Sequence, residues 1–280
     1  MKYEMAEKVL NYAESVEAHI PESKVWDSST QDGIQIHPGF LDGDLKNFFP
    51  EFLNDNTPNL LVRGLPGYGK TNLVNAIITS ILRMYSKEEI ELYLVDFKQV
   101  DFDLYFQKPT APQIKVIDYD NYGAYIEKSI DSLLELSKER ISLFTKLGVT
   151  KISEYNERLG RATGESSPMK RSLLILNEYT AMLENPVILR KINQLLKIGR
   201  ACGVHAIAAT QSNRTREALE FISQFGLTFV VSAHPSKNQK GWVDVYYGGR
   251  RASKSYKTPF CDENYIRESL RKYASLALEE

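Results

Sequence analysis

Residues 64–71, Gly64-Leu65-Pro66-Gly67-Tyr68-Gly69-Lys70-Thr71, fit the phosphate-loop pattern G-x-x-x-x-G-K-[ST] without a gap. An apolar run, Leu60-Leu61-Val62, precedes the loop and reads as a strand. After it, Leu73, Val74, Ile77, Ile78, Ile81 and Leu82 recur at helical spacing, on a face wide enough to be covered by a sheet and by further protein. The glycines let the backbone curl until successive N–H groups point at phosphate oxygens, and the new helix turns its positive end to the same anion. Lys70 is expected to neutralise the terminal phosphates and Thr71 to ligate the accompanying metal ion, with Gly64, Gly67, Tyr68, Gly69 and Asn72 completing the cradle.

A loop of this kind belongs at the carboxyl end of a strand in an α/β sheet, so the other strand ends are the next places to look. Ile90 to Asp96 reads as a buried strand ending in Asp96-Phe97-Lys98, either a functional pair or a surface ion pair. Ser172 to Leu176 leads into Asn177-Glu178, where the second nucleotide motif of such folds is expected. An acid normally holds the metal ion at the first of these positions, and a glutamate at the second polarises the attacking water. Asn177 offers one oxygen and no charge, so it is expected to hold the ion more weakly, while Glu178 retains the base. Val204 to Thr210 is a further strand running into Gln211, which is expected to feel the terminal phosphate; His205 within it reads as a core histidine.

Elsewhere, residues 4–18 read as an amphipathic helix, 21–44 as a linker with a short strand or hairpin near Gly33–His37, and 45–53 as an apolar cluster packed beside the first core strand. A strand over 114–118, a long helix capped by Asp120 and stopped at Gly148, and a polar loop over 160–171 follow. Lys138, Arg140, Lys146 and Lys151 crowd the end of that helix as a solvated face. Helices are expected over 187–201, 215–225 and 262–278, with a strand over 227–232. Between the last two, Lys237, Lys240, Arg250, Arg251, Lys254 and Lys257 alternate with Trp242, Tyr246, Tyr247 and Tyr256. This composition fits a nucleic-acid backbone with base stacking, and equally an edge hairpin guarded by lysines.

With 280 residues, 42% apolar and 25% charged, the chain has the composition of a soluble globular protein. No apolar run approaches the roughly 18 residues of a membrane span, and the opening residues read as an acidic amphipathic segment rather than a secretory signal. Two widely spaced cysteines make neither a disulfide framework nor a metal site, so a cytoplasmic protein is expected. Residues 1–56 carry 11 acids against 4 bases, and residues 57–280 carry 25 against 31. We therefore expect an acidic appendage over 1–56, a surface for a membrane or targeting partner, and a mildly basic nucleotide-binding domain over 57–280.

The ordered set of motifs resembles the FtsK/SpoIIIE-type DNA-translocating ATPases. It comprises residues 64–71, Val95-Asp96-Phe97-Lys98, Glu139 through Asn156, Asn177-Glu178, and Lys197 to Gln211. The resemblance implies a RecA-like P-loop core with a mostly parallel sheet, bound ATP and Mg2+, and a ring, normally a hexamer, that pulls double-stranded DNA through its pore in chromosome segregation or conjugation. On this chain it implies Lys70 and Thr71 on phosphate and magnesium, Glu178 as base, Gln211 as γ-phosphate sensor, and Arg200 acting on a neighbour's nucleotide. Tyr68, Asn177 and Ser212-Asn213 depart from the family pattern. Type VII secretion modules of the same superfamily offer the alternative of an ATP-binding unit that takes a protein substrate.

Overall fold

The computed structural model describes residues 12–41, 44–115, 122–163, 168–211, 216–234 and 239–279. Five strands form its parallel centre: β3 (Asn59–Gly64), β4 (Ile90–Asp96), β5 (Arg171–Asn177), β6 (Val204–Thr210) and β7 (Leu227–Ala233), in the order β7-β3-β6-β5-β4. Every residue of β5 and β6 is buried, the pattern of strands covered on both faces. From β3 the chain crosses to β4 at the sheet edge and then returns through β5 and β6 to β7. Right-handed crossovers in opposite directions put their helices on opposite faces. Helix α2 (Lys70–Met84) therefore lies on one face, and α4 (Tyr122–Leu147), α6 (Pro186–Cys202) and α7 (Arg216–Ile222) on the other. The order reverses between β3 and β6, and a ligand crevice opens at their carboxyl ends.

Helix α2 is buried nearly all round, as the width of its apolar face requires. The sheet takes one side. Helix α8 (Glu263–Glu279) and the segment after α1 (Tyr12–His19) take the other, where the Trp26 indole donates to the Leu82 carbonyl at 3.0 Å. Residues 4–11 of the expected first helix, and Asp120, lie outside the described residues. Ile114 makes an isolated bridge to Leu92, while 116–118 lie outside the described residues. The expected loop over 160–171 begins later, because α5 (Ile152–Thr163) continues through residue 163. The short helix α3 (Asp103–Phe106) follows β4.

The antiparallel side of the sheet departs from expectation. β8 (Lys240–Tyr247) pairs with β7, and β9 (Arg250–Lys257) with β8. β1 (Ile34–Leu41) then pairs with β9 and with β2 (Asp44–Leu53), which forms the outer edge. Residues 45–53 thus belong to an edge strand separated by four strands from the one they were expected to flank, and the basic hairpin is internal. Trp242 and Tyr256 are buried and unavailable for stacking on bases. Arg251 pairs with Asp244 at 2.7 Å, Lys257 bonds the Lys240 carbonyl, and Lys254 pairs with the buried Glu51 of β2. Arg140 likewise lies inside and donates to the Cys202 and Lys170 carbonyls, both at 2.6 Å, rather than sharing a solvated face.

Glu51 ties this hairpin to the rest of the sheet. Its two oxygens accept from the Tyr247 and Tyr256 hydroxyls at 2.6 Å each, and Lys254 reaches the same carboxylate. Burial and the neighbouring carboxylate push the Tyr256 hydroxyl above its usual range. Glu51→Ala leaves a buried hydroxyl and an ammonium without their acceptor, which is expected to cost about 2–4 kcal/mol. Chemical denaturation of the variant checks this; unchanged stability would mean that the network carries no weight.

His205 is a core histidine, as expected. Its Nδ1 lies 2.9 Å from the Pro58 carbonyl, so it donates there, and Nε2 accepts from Arg171 at 3.0 Å. Burial, and then the Arg171 charge, hold its pKa down to about 3.

Candidate functional site

The phosphate loop leaves β3 where Gly64 passes β7 so closely that a Cβ would lie 2.5 Å from the Val231 carbonyl oxygen. Only glycine fits there. Gly67 (φ 75) and Gly69 (φ 102) adopt left-handed backbone, disfavoured for L side chains, and Gly69 caps α2. From β8, the Gly241 N–H donates to the Tyr68 carbonyl at 3.1 Å, and Lys240 Nζ lies 6.0 Å from the centre of the Tyr68 ring. β8, which lies beyond β7 in the sheet, is therefore hydrogen-bonded to the loop.

Lys70 folds back over the loop, with Nζ 3.4 Å from the Leu65 carbonyl, and is buried. Burial lowers its pKa, the Glu178 and Asp101 carboxylates oppose that, and the Lys98 charge adds to it. Thr71 is half-buried in the first turn of α2. Asn72, expected in the cradle, uses its side chain otherwise: Nδ2 donates to the Pro259 carbonyl at 2.9 Å and Oδ1 accepts the Cys261 N–H at 2.8 Å. It pins the segment before α8 to α2.

Facing Lys70 are the ends of β4 and β5, where Asp96 and Asn177 are register partners. Glu178 is buried in a left-handed conformation (φ 51), a strained setting for a residue with a side chain. Its carboxylate lies 3.7 Å from Lys98 Nζ. The pair Asp96 and Lys98 thus divides: Asp96 is buried and accepts from the backbone N–H groups of Lys98, Val100 and Asp101, while Lys98 reaches across to Glu178. The Asn177 amide donates to Asp101 Oδ2 at 2.7 Å and to Asp96 Oδ1 at 3.3 Å. Gln211 follows β6, between the loop strand and β5, and is half-buried; Ser212 and Asn213 lie outside the described residues.

The strand ends therefore bring Lys70, Thr71, Asn177, Glu178 and Gln211 to one crevice. Arg200 is not among them. It is exposed in the last turn of α6, just before β6 begins, so the seven-residue strand separates it from the crevice by roughly 20 Å. Asp101 was not foreseen; a second acid five residues beyond Asp96 was its one sequence signal. An open, largely apolar cavity of about 1060 Å³ flanks the other side of the loop, lined by Leu65, Tyr68, Phe225, Val231 and Tyr246, and Lys70 and Thr71 are not part of it.

Around this crevice the side chains that could ligate a metal ion carry hard oxygens: Thr71 in the first turn of α2, Asn177 at the end of β5, and Asp101, whose charge acts on Lys70. Such a set suits magnesium, which takes one or two carboxylates together with phosphate oxygens and water.

The FtsK/SpoIIIE family model matches residues 31–195, more than half of the chain. The chain belongs to the FtsK/SpoIIIE family. DNA translocase FtsK of Lactococcus lactis subsp. cremoris is 32% identical over 179 residues, 61% of this chain and 22% of the relative. DNA translocase SpoIIIE of Bacillus subtilis is 31% identical over 160 residues, 55% of this chain and 20% of the relative. The chain thus spans about a fifth of the length of these FtsK and SpoIIIE relatives. Among solved structures, the cytoplasmic domain of the Thermomonospora curvata type VII secretion ATPase EccC superposes with a TM-score of 0.71 at 13% identity, covering 95% of this chain and 34% of that one. The pCW3 conjugation coupling protein TcpA, solved with ATPγS, gives 0.63 at 18% identity, covering 92% and 73%. The fold is that of P-loop ATPase domains, with a mostly parallel central sheet. Among the described residues no helix is long and apolar enough to cross a membrane.

Proposed function

We propose that this FtsK/SpoIIIE-family chain hydrolyses ATP and uses the cycle to move double-stranded DNA, working as a ring of copies. The observation that carries the reading is the convergence of Lys70, Glu178 and Gln211 on one crevice at the switch point of the sheet. The loop N–H groups and Lys70 bind the β- and γ-phosphates. Glu178 accepts a proton from the attacking water, and Gln211 contacts the terminal phosphate. Thr71 and Asn177 would hold magnesium, which supplies charge neutralisation across the phosphates. Arg200, on the far side of its own subunit, is available only to a neighbouring copy. Such an arginine stabilises transition-state charge once the next subunit has docked, and so links hydrolysis to assembly.

The test is displacement of a triplex-forming oligonucleotide from linear duplex DNA by assembled protein and ATP. A motor strips the third strand, and Lys70→Ala does not. Intact triplex with wild type under ring-forming conditions would remove the translocase. Asn177 favours a second reading, an ATP-binding module with slow turnover that acts on a protein substrate. That reading expects nucleotide binding without DNA-dependent turnover.

A further inference from the structure

We propose that Asp101 supplies the carboxylate that Asn177 lacks, and that Asn177 serves as the hydrogen-bond donor holding Asp101 beside Lys70 toward the nucleotide's divalent ion. The inference rests on the nucleotide-binding reading above. In that reading the metal-side acid sits at position 177, at the end of β5, and here that position is an amide. Its Nδ2 donates 2.7 Å to Asp101 Oδ2, so the negative charge has moved to the partner across the hydrogen bond.

Position 101 is built to hold that charge. The chain after β4 turns on itself around the buried Asp96 carboxylate, which accepts the Lys98 N–H on Oδ1 at 3.2 Å and the Val100 and Asp101 N–H groups on Oδ2 at 2.8 and 2.7 Å. Gln99 takes left-handed backbone (φ 55) to complete the turn. Asp96 is thereby occupied inside its own loop, with Asn177 as a further donor. Asp101 is half-buried, and among the described residues only its Oδ2 accepts a hydrogen bond, which leaves Oδ1 for a ligand. It is also near enough to Lys70 for its charge to act on the amine. An aspartate at 177 would set two carboxylates at hydrogen-bond distance, a repulsion relieved only by a shared proton or by moving the loop. The amide at 177 and the acid at 101 are therefore a matched pair.

The test is the affinity of a fluorescent, non-hydrolysable ATP analogue, measured in EDTA and in magnesium. Wild type is expected to bind more tightly with magnesium. Asp101→Asn, which keeps an oxygen for the Asn177 amide, should reduce the magnesium enhancement, read as the ratio of the affinity in magnesium to that in EDTA, by about 10–100-fold. The exchanged pair Asp101→Asn with Asn177→Asp should restore it, a rescue that a merely structural role does not predict. Full magnesium enhancement in Asp101→Asn, failure of the exchanged pair, or a wild type indifferent to magnesium each overturns the inference. The underlying reading fails separately, if Lys70→Ala binds the analogue in EDTA as tightly as wild type.

Discussion

Glu178→Gln is expected to lower ATP turnover by about 10²–10⁴-fold while leaving nucleotide affinity little changed. The substitution keeps the size and hydrogen-bonding reach of the side chain and removes its capacity to take a proton. Glu178 is suited to that task by position: it follows the last residue of β5, is buried, and is fixed by the left-handed turn that opens the 3-10 segment Tyr179–Glu184. Lys98, 3.7 Å away, balances its charge from a more exposed position. The check is a single-turnover measurement on enzyme preloaded with ATP, where the variant should hold unhydrolysed nucleotide. Turnover at the wild-type rate would take the base role away from Glu178.

Lys70→Ala is expected to weaken ATP binding by about 10–100-fold, the value of one or two charge-assisted hydrogen bonds to phosphate, and to reduce turnover below detection. The lysine is buried, and burial disfavours its charge, which the Glu178 and Asp101 carboxylates opposite favour. Removing it deprives the phosphates of their cation and leaves those carboxylates facing the incoming anion, so both effects act in the same direction. Titration with a fluorescent nucleotide reads the affinity, and wild-type binding by the variant would show that the loop does not hold phosphate.

What could be read from sequence was what local chemistry dictates. The phosphate loop, α2 and the Asn177-Glu178 strand end follow from glycine conformations, a 3.6-residue period and apolar runs, all encoded within a few neighbouring residues. The placement of the β1–β2 hairpin was not legible, because Phe40 pairs with Lys257 and Glu51 bonds Tyr256, partners more than 200 positions apart. That one misplacement changed the reading of the basic hairpin: covered by β1, Trp242 and Tyr256 became core residues, and Lys254 the partner of an acid. The acid facing Asn177 escaped for a related reason. Nothing in the stretch 96–101 announces that its backbone wraps around Asp96 and returns Asp101 to the end of β5.

The most direct measurement is the rate of ATP hydrolysis by the purified chain with and without linear duplex DNA, with assembly followed on the same sample. A DNA translocase of this family should hydrolyse ATP faster when duplex DNA is present and copies associate, and Lys70→Ala should abolish the response. A rate unchanged by DNA in associated protein would contradict the account.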